Sequence, residues 1–417
     1  MLKTTSVADL LLGIDNVSDE TSLPAKAARD MRNVDLNGVG NFRTRRGFTL
    51  LAPALDAHSL WGSRDQSFGL YVQGAGLRRL IVQDGQTLSA QVLTVMPGLP
   101  MSYFEYADEA FFSNGTDLGV VTRTGARMLG VDAPRAPLLS TAAGGSTAAG
   151  KYSVALSFVS ATGEESGLSA IESCTLDADS SVTVSLPTGA GTGAVRVRVY
   201  CTPTNGDVLY QAAELPIGLT SYVLNLTVLG KAADNQFLSR MRPGRIVRAF
   251  NGRLVTAQGD TVWFSEPYRY GLTSLRHNFV RFNSAVTVVE PVTGGVFVGT
   301  REAVYFLAGD GPRTFQQGVA STNGPGVGGS TLVPSSALPK KYADQTSGMA
   351  AVWLGPRGYS VGLPSGMAHD IQQDRLDLPQ IEAGRTVFWT VDGLKQVVSV
   401  VESPLSAGPG AAIDSTI

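Results

Sequence analysis

Short alternating apolar runs, closed again and again by glycine-bearing turns, constrain this chain more than any other feature. The runs SFGLYV (67–72), LRRLIV (77–82), QVLTV (91–95), SYFEY (102–106), EAFFS (109–113) and LGVVT (118–122) follow one another with little between them. Strands recurring every ~8–12 residues with turn signals between them point to a sandwich, barrel or propeller. The chain has 48 Gly among 417 residues, which suits tight turns. With 43% hydrophobic and 16% charged residues it carries ample core-forming material and is not a wholly disordered protein. The expected class is all-β.

The pattern changes twice along the chain. Residues 1–54 read as an N-terminal arm, in which VDL (34–36), an Asn-Gly and FRT (42–44) make a hairpin. Blade-like runs fill 55–134 and return over 233–403, as in IVRAF, RLVTA and TVWFS (246–265), GVFVG and AVYFL (295–307), AAVWL and GYSV (350–361), and TVFWT and QVVSVV (386–401). Units of ~40 residues built from short strands are the propeller signature; five or six are expected here. Between the two stretches, residues 135–232 give a different series of short strands, the profile of an immunoglobulin-like sandwich. Its run YSVALSFV (152–159) and following turn resemble the fibronectin type III pattern. The expected fold is therefore a discontinuous β-propeller interrupted by an inserted immunoglobulin-like or fibronectin III-like β-sandwich, with a C-terminal tail over 404–417.

Chemistry-bearing motifs are few. Cys174 and Cys201 lack metal-ligand spacing and fall on different strands, as buried thiols do. His58, His277 and His369 lie far apart. Residues 324–329 (GPGVGG) match G-x-G-x-x-G, but Pro325 and the following TLVP allow no helix, so a flexible loop is expected rather than a dinucleotide cradle. Glu164-Glu165 read as a solvated hairpin tip, and Asp374 and Asp377 beside Arg375 as a surface ion-pair loop. His369-Asp370 have the form of a base and its orienter, without a nucleophile nearby. Trp61, Trp263, Trp353 and Trp389 each sit in a strand block and are expected in the core. No catalytic, cofactor-binding or metal site is expected, and no enzyme activity.

The formal net charge of −2 gives no footprint of a nucleic-acid binder. Arg29, Arg32, Arg43, Arg45 and Arg46 are the exception, a local cluster interleaved with Asp30 and Asp35. Arg forks suit protein interfaces, so these five are the candidate partner contacts. The apolar stretch at 10–12 is too short for a signal core, and no run of ~18 apolar residues offers a membrane span.

Three segments resemble one known family. Residues 32–48 (RNVDLNGVGNFRTRRGF), residues 250–257 (FNGRLVTA) with 263–267 (WFSEP), and residues 294–300 (GGVFVGT) with 304–307 and 318–329 are similar to the tail nozzle, or DNA-stabilisation, proteins of short-tailed bacteriophages. The resemblance covers most of the chain outside the insert. It implies a virion tail subunit, made in the host cytoplasm, that forms a homo-oligomeric ring, a hexamer, below the portal and adaptor. Such a ring retains packaged DNA, gives it a channel at ejection, and meets tail fibre or spike proteins. The other expectation is a carbohydrate-binding or glycan-processing β-propeller adhesin.

Overall fold

A computed structural model describes residues 13–19, 21–31, 34–36, 42–44, 55–83, 86–189, 191–343, 347–372, 374–391, 394–402 and 411–416. Five four-stranded antiparallel sheets run in simple sequence order. The first holds Ala57–Gly62, Gly69–Gln73, Gly76–Gln83 and Gln86–Thr94. The second holds Ser102–Tyr106, Glu109–Ser113, Leu118–Val121 and Ala126–Met128. The third, beyond the insert, holds Ile246–Phe250, Arg253–Gln258, Thr261–Phe264 and Phe279–Arg281. The fourth spans Val286–Val292 to Gln316–Ser321, and the fifth Ser330–Pro334 to Ala368–Asp370. A sixth sheet has three strands, Ala383–Val391, Leu394–Glu402 and Ala411–Thr416.

These sheets are stacked because their strands are apolar on both faces. Successive side chains of a strand point to opposite sides, so the adjacent Phe111 and Phe112 enter different cores. Phe112 packs with Leu70, Val72 and Leu77 of the first sheet. Phe111 packs with Val247 and Leu254 of the third. The same division recurs at Gly295–Thr300, where Val296 and Val298 meet Val255 and Phe264 of the third sheet. Phe297 between them meets Ala351 and Trp353 of the fifth. Ala350, Val352 and Leu354 then join Val397 and Val401 of the sixth. Each fully buried side chain of this kind contributes ~1.5–3 kcal/mol. From the second sheet to the sixth, the first strand of each sheet lies against the first strand of the next. Four-stranded meanders stacked face to face around shared first strands are the blades of a β-propeller.

The insert is a two-sheet sandwich. One sheet orders Leu139–Thr147, Ser180–Ser185 and Ser221–Val223; the other orders Glu172–Leu176, Gly150–Ser160, Ala194–Cys201 and Tyr210–Pro216. Tyr152, Val154, Leu156 and Phe158 from one sheet and Val182 and Val184 from the other fill a single core. Cys201 is buried there, which pushes its thiol up to about 12. The sequence passed over Leu139–Thr147 and Gln316–Ser321, edge strands whose residues are largely exposed and lack apolar alternation.

Three expectations change. The 404–417 tail carries the strand Ala411–Thr416, which pairs with Leu394–Glu402. The 324–329 segment is a packed connection: Val327 N–H donates to Glu382 O at 3.1 Å and Gly384 N–H to Val327 O at 2.8 Å. An added Cβ at Gly324 would lie 2.4 Å from the backbone of Arg301, so only glycine fits that approach. Among the tryptophans, Trp353 is buried and donates Nε1–H to Asn323 O at 2.9 Å, but Trp389 is 46% exposed.

Candidate functional site

The insert is mounted on the propeller by the Glu164-Glu165 pair, which is not a solvated tip. Its hairpin folds back against the connection leaving the second blade. There Glu164 accepts from the Gly130 N–H at 3.0 Å and from Arg127 at 3.2 Å. The fit is close: a Cβ at Gly271, in the third-blade segment opposite, would lie 1.6 Å from Glu164 Oε1. Glu165 turns the other way, into the insert. It accepts from Ser157 Oγ at 2.6 Å, Tyr200 OH at 2.8 Å and Asn235 Nδ2 at 3.0 Å, and it pairs with Arg198. Its side chain is 10% exposed. Burial, reinforced by the Glu165 charge, pushes the Tyr200 phenol above its usual range. Burial opposes the Arg198 charge, but the hydrogen bond to Glu214 and the field of Glu165 outweigh it and raise the guanidinium pKa.

A second tie runs along the return from insert to third blade. Asp234 pairs with Lys231 at 2.7 Å and with Arg269 at 3.0 Å. The Lys231 hydrogen bond, then the Arg269 charge, hold its carboxyl below the usual range. Ser239–Arg240 pairs antiparallel with Leu272–Thr273, and Arg240 reaches Asp132 at 3.2 Å.

Between these ties lies a cleft of about 420 Å³, walled by Glu164, Lys231, Asp234, Tyr268, Arg269 and Arg127. Tyr268 is held by its N–H donating to Gly252 O at 2.7 Å. Its backbone is left-handed, at φ 56°, a conformation few bulky residues adopt. The residue is 78% exposed.

Elsewhere the groups singled out in the sequence are separated. His369 and Asp370 are neighbours on one strand and so face opposite ways. Asp370 accepts from Ser360 Oγ at 2.7 Å and pairs with Arg357 at 3.1 Å, while the His369 ring lies 5.1 Å from that of Tyr342. No His–Asp orienting bond forms. The Asp377 segment is tied to the arm, its N–H donating to Asn16 Oδ1 at 2.8 Å. Of the five arginines, Arg29 is exposed and donates to Ser18 O, and Arg43 lies opposite Asp35 in the hairpin register. Arg32, Arg45 and Arg46 lie outside the described residues. Tyr268, Arg269, Lys231 and Asp234 were not singled out; an aromatic-rich turn after a proline, PYRYG (267–271), signals the first two, and nothing in GKAADN (230–235) marks the others.

No protein-family model matches the chain, and no curated protein matches it. Among solved structures it is similar to a protein from Lactobacillus plantarum, at 12% identity and TM-score 0.33, over 82% of this chain and 91% of that one. It is also similar to the Pan2 WD40 domain of Neurospora crassa, at 9% identity and TM-score 0.31, over 82% and 85%. The AfRom2 CNH domain overlaps at 7% identity and TM-score 0.28, over 88% and 98%. The fold assignment rests on the strand order and shared cores described above. Among the described residues no helix is long and apolar enough to cross a membrane.

Proposed function

We propose that this chain is a non-enzymatic structural subunit of a nozzle in a short-tailed phage tail. Six copies form a ring below the portal and adaptor, hold packaged DNA and pass it at ejection. The resemblance of the arm and of the third and fourth blades to that family motivates the reading. One structural observation carries it: the two ends of the sheet series leave different apolar side chains exposed.

On the sixth sheet, Phe388, Val397 and Val401 pack inward. The register puts Arg385 with Val400, Val387 with Val398 and Trp389 with Gln396 on the opposite face, where Val387, Trp389 and Val400 are about half exposed. On the first sheet, Leu60 and Val82 are exposed. Two different surfaces meeting head to tail make a heterologous interface, the kind that closes into a ring. A second copy is the occupant this arrangement suits. The near-neutral charge favours a lumen along which DNA slides, since each phosphate contact made by a basic lining would retard it. Negative-stain imaging of the purified chain, alone and with a portal–adaptor complex, tests the reading: six-fold rings that dock support it, and a monomer that ignores the portal contradicts it.

The second reading, a carbohydrate-binding propeller, is favoured by the exposed Tyr268 ring over the cleft. Glu164 and Glu165 are engaged in holding the insert, so binding rather than glycan processing is the form this reading takes.

A further inference from the structure

We propose that the cleft at the junction of insert and propeller is a binding site for an uncharged saccharide. The inference rests on the second, carbohydrate-binding reading, to which it gives a place and a ligand class, and it does not depend on ring formation.

Its first support is the placement of Tyr268. An added Cβ at Gly252 would lie 2.8 Å from Tyr268 Cζ and 3.0 and 3.2 Å from its two Cε atoms. One face of the ring tip therefore rests on the Asn251-Gly252 turn. With 78% of the residue still exposed, the other face is open to solvent. A tyrosine confined on one side and bare on the other is a stacking platform, with an apolar body and a polar tip.

The second support is the wall. Arg127 is paired with Glu164, and Lys231 and Arg269 share Asp234, so every cation of the wall already has a carboxylate partner. A phosphate or a carboxylate would have to displace those carboxylates from their partners. The same groups carry hydrogen-bond donors and carboxylate acceptors side by side, and Glu164 and Asp234, with two partners each, have lone pairs beyond those in use. A sugar hydroxyl both donates and accepts. Its ring also offers a face of C–H groups to the bare side of Tyr268. A volume of about 420 Å³ falls within the range of small-ligand sites. Behind the wall, fully buried Asn235 donates to Glu165 Oε1 at 3.0 Å and to Ser166 O at 2.7 Å, which fixes the Glu164-Glu165 turn.

The test is saturation-transfer NMR on the full chain, with maltotriose, cellotriose, chitotriose and lactose as probes and 3′-sialyllactose and a short single-stranded DNA as charged controls. The expected result is transfer to at least one neutral sugar. Tyr268→Ala should weaken it by tenfold or more at unchanged thermal midpoint, and Tyr268→Phe should largely retain it. Absence of transfer to every neutral probe, transfer unaffected by Tyr268→Ala, or preference for either charged control would overturn the proposal.

Discussion

Arg248 and Glu290 join the first strands of neighbouring blades, Nη2 meeting Oε1 at 2.8 Å and Nε meeting Oε2 at 3.3 Å. The carboxylate is almost wholly buried, and Ser330 of the next blade donates to its Oε1 at 2.7 Å. The Arg248 guanidinium lies 5.8 Å from the ring centroid of Phe104, on the first strand of the second blade. Four consecutive blades are thus tied where their inner strands meet. Removing one member of a buried pair leaves the other charge without a partner, at a cost of ~3–5 kcal/mol. Arg248→Ala should lower the stability of the propeller by about that amount in urea unfolding followed by tryptophan fluorescence, whereas a loss below ~0.5 kcal/mol would show the pair to be incidental.

Glycine at position 167 should be indispensable to the mounting of the insert. An added Cβ there would lie 1.9 Å from the backbone oxygen of Leu238. That oxygen belongs to the connection back to the propeller and cannot swing aside as a side chain does. Gly167→Ala is expected to cost ~3 kcal/mol, the upper end for overpacking. Limited proteolysis should then cut between residues 224 and 240 much faster than in the parent chain, and unchanged cutting would contradict this.

The Asp234 clamp should loosen in acid. Its carboxyl pKa is lowered in the folded chain, first by the Lys231 hydrogen bond. A carboxylate with a depressed folded pKa contributes stability that is complete above its unfolded value, about 3.9, and is lost as pH falls through the folded value. Asp234→Asn should therefore flatten the dependence of thermal midpoint on pH below about 4 and leave its slope near neutrality unchanged. An identical acid limb in the two proteins would refute the assignment.

Trp353 and Trp389, alike in sequence context, should respond oppositely. Trp353 is 1% exposed and packs on Phe297, ring centroids 5.8 Å apart. Trp353→Ala should cost ~3–5 kcal/mol by leaving a cavity. Trp389 lies on the outer face of the sixth sheet and donates to Gln396 at 2.9 Å. Trp389→Asp should change monomer stability by less than ~1 kcal/mol, as surface substitutions do, while abolishing assembly. Thermal unfolding and mass photometry of both variants separate these effects.

The blades were legible because their strands are apolar on both faces, and a run such as EAFFS (109–113) admits few other folds in a glycine-punctuated chain. Edge strands were not. Leu139–Thr147 is mostly exposed and rich in small residues, so no apolar alternation marks it. The junction was misread for a different reason. Glu164-Glu165 has the local composition of any solvated turn, and only the partners, from Arg127 to Asn235, reveal its role. Those partners lie up to 70 residues from Glu165 along the chain. The cleft depends on the same long-range meeting, with Tyr268 brought by the third blade and Lys231 by the insert's return.

The most direct measurement is the mass of the purified chain in solution, by native mass spectrometry or mass photometry at micromolar concentration, beside Trp389→Asp. A closed species of six copies is expected for the parent chain and monomers for the variant. A monomeric parent chain, or a hexamer indifferent to Trp389→Asp, would contradict this.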